Sequence, residues 1–288
     1  MNGALGPEGL KMRLPLFVLF ALLSTSAGAQ WLNYPTPGTP RTRDGKLNLA
    51  APAPHAANGK PELSGVWHVQ PTSLAEMRRL FGDLFVAQGV TGLGVDTISK
   101  YAINILLDFK PEEVSMRPEA EDIQLLRRLA PSSPNCLPVG IPLASLLSDP
   151  FKIVQSPGLL VILYETDGTH RQIYTDGRRL PKEVLQPSWL GYSVGKWERD
   201  TLVVETAGFN DKTSLDTGWH PHSEALRIVE RYHRRDFGHM DVEMTFDDPQ
   251  MYTKPFTIRV TQNLQADSDI FEYFCNENEK DRAHMGQQ

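Results

Sequence analysis

From residue 150 onward the chain alternates short apolar and polar runs with tight-turn signals, and this cadence constrains the fold more than any other feature of the sequence. Residues 151–155 and 159–165 flank Ser156-Pro157-Gly158, and 171–175 runs into Asp176-Gly177. Residues 192–197 and 201–206 flank Glu198-Arg199-Asp200, 226–234 and 240–246 flank a turn at Gly238, and 256–262 and 270–275 complete the series. Proline, glycine, aspartate and serine at these joints are the residues that reverse a chain tightly. With a further strand around Trp67, ten candidate strands with short connections result. They predict a mainly β domain, an antiparallel meander closed or nearly closed into a barrel.

Between the Trp67 strand and residue 150 the periodicity becomes helical. Ser73 and Glu76 form a capping box, and Leu74, Met77, Phe81 and Leu84 follow at one-face spacing. A second helix is expected over 97–108, burying Ile98, Tyr101, Ile105 and Leu106 and ending before Lys110-Pro111. A third starts at Pro118, with acids in its first turn and Arg127 and Arg128 in its last, which complements the helix dipole. The helical insert is therefore placed at about 73–130.

Residues 1–29 have the form of a secretory signal: Lys11 and Arg13, an apolar run over 14–23, and Ala27-Gly28-Ala29 before Gln30. The run is too short to span a bilayer, and cleavage is expected between Ala29 and Gln30, giving an exported protein of the periplasm or exterior. Residues 30–63 form a Pro/Gly-rich lead-in that cannot build a core, and 64–288 are assigned to the barrel with its insert. The lead-in repeats a short pattern, at 44–49 and again at 58–63, read as paired turns. Two cysteines, Cys136 and Cys275, in an oxidising compartment point to one disulfide. A net charge of −6 without a basic run excludes a nucleic-acid footprint, and no segment of the mature chain is long and apolar enough to span a membrane. No phosphate loop, nucleophile elbow or paired Cys-x-x-Cys is present, which removes nucleotide-dependent chemistry, serine hydrolysis and a structural zinc knot.

The segment richest in chemistry is 218–232. If it is extended throughout, His220, His222, Glu224, Leu226, Ile228, Glu230 and Tyr232 share one face. Leu226, Ile228 and Tyr232 mark that face as inward, which turns Glu230 and the histidines toward the barrel interior; Pro221 opposes extension. Two chemistries fit. His220, His222, Glu224 and Glu230 would serve acid–base work in a partly desolvated cavity. Alternatively His220, His222 and Glu224 would ligate a divalent metal, the one cofactor this pattern suggests. Asp211 and Asp216, in the preceding loop, would join a polar cluster. Trp67, Trp197, Trp219 and Tyr232 are the candidate contacts for a small, largely apolar ligand.

Gly65-Val66-Trp67 on a first strand followed by a meander resembles the entry of lipocalin-type barrels, which hold apolar small molecules. The strings 134–138, 151–155, 171–178, 191–206, 220–224 and 275–278 are similar to a family of uncharacterised exported bacterial proteins with a lipocalin-like (calycin-type) barrel. The resemblance implies a small-molecule-binding barrel, with acid–base chemistry of the isomerase, hydratase or cyclase type as its extension. A metal-dependent enzyme and a non-catalytic envelope binding protein stay open beside it.

Overall fold

The computed structural model describes residues 35–83, 97–129, 137–182 and 186–272. Within them nine strands close into a barrel: β1 (Gly65–Val69), β2 (Phe151–Ser156), β3 (Leu159–Tyr164), β4 (His170–Tyr174), β5 (Tyr192–Glu198), β6 (Thr201–Ala207), β7 (Arg227–Arg234), β8 (His239–Asp247) and β9 (Phe256–Leu264). They follow one another around the ring, and β1 pairs with both β2 and β9. A ring of wholly antiparallel neighbours needs an even number of strands. Nine is odd, so one pair must run parallel, and it is β4 with β5. These two strands are joined by the crossover 175–191 rather than by a hairpin, as parallel neighbours require. The expected strand at 270–275 does not form over 270–272, and its remainder lies outside the described residues. With β1 and β9 already joined, the ring offers no edge for a tenth strand.

The period of two sorts the side chains. β8 buries Met240, Val242, Met244 and Phe246 and turns the residues between them toward solvent. The inward residues of the other strands do the same, so the lumen is filled with side chains rather than left as a wide channel. The start of β1, the ends of β7 and β9 and the β5–β6 turn lie at one end, hereafter the lead-in end. The β6–β7 and β8–β9 connections lie at the other, the helical end.

α1 (Leu74–Phe81) is capped by Ser73, whose Oγ accepts from Glu76 N at 3.3 Å, while the Glu76 carboxylate accepts from Arg79 instead of completing the box; the helix buries Met77. α3 (Pro118–Leu129) carries its charges as expected, although Leu125, Leu126 and Leu129 face solvent. The helix expected over 97–108 shrinks to α2 (Lys100–Ile103). Two side-chain bonds compete with its continuation: Asn104 Oδ1 accepts from Leu106 N at 2.9 Å, and the buried Asp216 captures Ile105 N at 2.6 Å. Ile98, Tyr101 and Ile105 are buried all the same.

The lead-in is fastened across its end of the barrel. Phe237 N and Gly238 N donate to the carbonyls of Ala51 and Leu49, each at 2.7 Å. Gly238 has no room for a side chain there, since a Cβ would stand 2.5 Å from that of Leu49. Each copy of the short repeat closes as a small turn, bridged Arg41 to Leu47 and His55 to Pro61. Asp267 holds the far part, accepting from Thr36 N at 2.8 Å and from Arg41 Nη2 at 2.5 Å. Residues 1–29, expected to be a secretory signal, and Cys136 and Cys275, expected to form a disulfide, lie outside the described residues.

Candidate functional site

The polar centre inside the barrel grows from the alternation of β4 and β7. Arg171 and Ile173 share the inner face of β4, and Ile228, Glu230, Tyr232 and Arg234 that of β7. A buried guanidinium must find a carboxylate and further acceptors, and here it does. Arg171 reaches Glu230 through two nitrogens, Nη1 to Oε1 at 3.1 Å and Nη2 to Oε2. It also donates from Nε to Ser193 Oγ at 2.9 Å and from Nη2 to Thr206 Oγ1 at 2.7 Å. Tyr232 Oη donates to Glu230 Oε1 at 2.6 Å. Burial by itself favours loss of the Arg171 proton, yet Glu230 and the neighbouring tyrosines outweigh it and raise the pKa. Burial, then the negative charge of Glu230, lifts the Tyr232 phenol well above its ordinary value. Tyr164 Oη and Gln262 Oε1 lie buried in the same interior without a hydrogen-bond partner.

Glu230 thus faces inward as the alternation predicts. The rest of the expected shared face does not exist. β7 begins at Arg227, and 218–226 is irregular, with Ser214 bridged to Pro221. Pro221 has no N–H for a ladder, and side chains capture its neighbours' amides: Asp216 Oδ1 takes His220 N at 3.1 Å and Asp248 Oδ2 takes Ser223 N at 2.6 Å. His220 and His222 are buried at the helical end, outside the barrel lining, and Glu224 is exposed.

Each histidine has a different partner. His220 Nδ1 stands 2.6 Å from Asp216 Oδ2, and the Asp216 side chain is sealed from solvent. His222 Nε2 meets Thr213 Oγ1 at 2.6 Å while its Nδ1 faces Ser223 O at 3.3 Å; burial, which disfavours the charged ring, lowers its pKa. His222 and Glu224 line a cleft of about 420 Å³ with Arg127 and Asp211. Arg127 is committed to the loop, donating to Thr213 O at 2.6 Å, Ser214 Oγ at 2.9 Å and Asp211 O at 2.7 Å. The donor set of a metal is not assembled: among the described residues no three of His, Cys, Asp and Glu stand close enough together to hold one ion.

The four aromatic candidates also part company. Trp67 is sealed in the core, its Nε1 donating to Leu63 O at 3.0 Å and its ring under the Arg234 guanidinium, 4.9 Å away. Tyr232 belongs to the Glu230 network. Trp197 lines a niche of about 70 Å³ at the lead-in end, and Trp219 is 38 % exposed at the helical end. They do not make one cage. A larger cleft, of about 720 Å³, lies between the lead-in and the β1–β9 seam, walled by Pro37, Pro54, Val66, Phe237, Leu264 and Ala266 among others.

Arg171 belongs to no catalytic or metal-binding motif and so is not marked by its neighbours in the sequence. Its signal was phase: an arginine two residues from an inward isoleucine requires an inward acid, and Glu230 was the one on offer. No protein-family model, curated protein or solved structure matches the chain.

Proposed function

We propose that this barrel is an exported small-molecule carrier or enzyme whose ligand, small and largely apolar, lies in the cleft at the lead-in end. The carrying observation is the size and chemistry of that cleft: its about 720 Å³ is on the scale of small-molecule sites, and its walls are mostly apolar. Its charged groups are engaged within the protein, Glu62 Oε1 accepting from Ser64 N at 2.9 Å. Lys152 Nζ pairs with Asp269 at 2.8 Å, and Arg234 gives its protons to the carbonyls of Glu62, Asp236 and Phe237. That favours an uncharged ligand. Ala266→Trp, which fills the cleft, is expected to weaken binding of the neutral fluorescent probe N-phenyl-1-naphthylamine at least about tenfold. Unchanged probe affinity in the variant removes this reading.

Kinship with the exported barrel family belongs to the same proposal, and with it secretion and the disulfide. Protein recovered from a secreting host is expected to begin at Gln30 and to weigh two hydrogens less than the dithiol form. Intact-mass measurement before and after reduction checks both, and a mature chain that retains free thiols defeats the Cys136–Cys275 bond.

Acid–base chemistry is a second reading, favoured by the contact of His220 with the sealed carboxylate of Asp216. In it Asp216, rather than Glu224 or Glu230, is the acid paired with His220, and Glu230 stays inside the barrel as the partner of Arg171. The divalent-metal alternative at His220, His222 and Glu224 is less favoured, since the two histidines are turned to different partners, Asp216 and Thr213.

A further inference from the structure

We infer that His220 is a proton-transfer base for a carbon acid whose flat, apolar body lies on Trp219, with Asp216 as its positioning residue. The inference rests on the acid–base reading and is independent of the cleft at the lead-in end.

Asp216 receives three N–H groups, from Ile105 N at 2.6 Å, His220 N at 3.1 Å and His220 Nδ1 at 2.6 Å. A sealed carboxylate facing Nδ1 fixes the hydrogen there, which leaves the lone pair on Nε2. Among the described residues Nε2 has no hydrogen-bond partner, and it is not one of the unpartnered polar atoms sealed from solvent. The loop that carries it is held from several sides: Thr217 N and Oγ1 both donate to Ala102 O at 2.8 Å, and Gln124 Nε2 donates to Gly218 O at 2.8 Å. Gly218 is pressed against α2, where a Cβ would stand 2.7 Å from Ile103 O. Beside it Trp219 adopts a left-handed backbone, φ 66°, unfavourable for a bulky residue, and presents its indole to solvent. Backbone strain kept in a pinned loop, next to an oriented base with an open nitrogen, is the arrangement of a preorganised site.

The step balances without a co-reactant. Nε2 takes the proton of an acidic C–H, either on a carbon next to a carbonyl or on the carbon of a C=N group whose nitrogen bears a leaving oxygen; the C–H electron pair moves into the adjoining bond, forming an enolate in the first case and a nitrile with loss of the oxygen in the second. The imidazolium then returns the proton to another carbon, completing an isomerisation, or to solvent after a leaving group departs.

The test uses the full mature chain and 5-nitrobenzisoxazole, a flat aromatic carbon acid. Loss of its C3 proton breaks the N–O bond and releases a coloured cyanophenolate. Wild-type protein is expected to catalyse this saturably. His220→Ala and His220→Gln should each lower kcat/KM about a hundredfold, within the usual range for a general base. Asp216→Asn should lower it at least about tenfold and displace the pH profile, because an amide accommodates the other imidazole tautomer. Trp219→Ala should raise KM several-fold with kcat little changed. His233→Ala, an exposed histidine at the opposite end, should match wild type. Nitrogen-15 NMR of the imidazole separates the failures. A hydrogen on Nε2 overturns both the inference and the acid–base reading. A lone pair on Nε2 with equal rates in wild type and both His220 variants overturns the carbon-acid inference alone.

Discussion

Arg171→Met is expected to cost the barrel about 3–5 kcal/mol of unfolding free energy, among the largest effects of any single substitution here. The change leaves the Glu230 carboxylate in the interior with the Tyr232 hydroxyl as its remaining donor, where two guanidinium nitrogens had faced it. A lone charge in a medium of low polarity is penalised far more heavily than a pair. Glu230→Leu should cost a similar amount, because it strands the guanidinium instead. The double variant Arg171→Met with Glu230→Leu should recover most of the loss, since two apolar side chains of similar volume carry no desolvation penalty. Ser193 and Thr206 would remain satisfied by one another at 3.0 Å. Urea denaturation of the four proteins closes the cycle. Single variants that lose under about 1 kcal/mol, or a double variant that loses the sum of both, would show that the two side chains are not coupled as the distances indicate.

The second large effect is at Trp67. Trp67→Ala should cost about 3–5 kcal/mol, the range for truncating a buried aromatic side chain. Three contributions converge there: lost apolar burial, the vacated bond to Leu63 O, and the removal of the ring beneath Arg234. Burial already works against the Arg234 charge, partly offset by Glu62 and Asp236, and lowers its pKa to about 10. Trp67→Phe keeps an aromatic face and loses the indole N–H, so a cost nearer 1–2 kcal/mol is expected. The distinguishing readout is local. Leu63 O accepts the indole N–H and Glu62 O accepts from Arg234, so Trp67→Ala should also speed hydrogen exchange in 35–63. A variant that loses stability while that segment keeps its protection would separate the tryptophan from the lead-in.

Both predictions concern residues that the sequence presented unequally. Trp67 stood out because Gly65-Val66-Trp67 opens a strand. Arg171 did not, since its importance comes from facing Glu230 across the lumen, 59 residues later in the chain. The period of two sufficed to place Glu230 inward and to mark Ile228 and Tyr232 beside it. It failed seven residues upstream of the strand start, where the same count was carried through His220, Pro221 and His222. Alternation holds only where the backbone has ladder partners, and there Asp216 and Asp248 bind the amides instead. Asp216 was visible as a loop acid that would join a polar cluster. Its pairing with His220 required a turn that folds back within four residues, and that turn is held by α2 and α3.

The sequence by itself determined the mainly β character, the positions of most strands, the helical insert after β1 and the inward phase of Glu230. These follow from local periodicity and turn chemistry, which act over a few residues and are written in consecutive letters. Tertiary structure decided the rest: ring closure at nine strands with one parallel pair, the filling of the lumen, the Arg171–Glu230 pair and the separation of His220, His222 and Glu224. Each depends on which distant groups a buried charge or an unpaired amide meets. That choice belongs to the packed chain, because burial makes an unsatisfied polar group costly while leaving open which partner satisfies it.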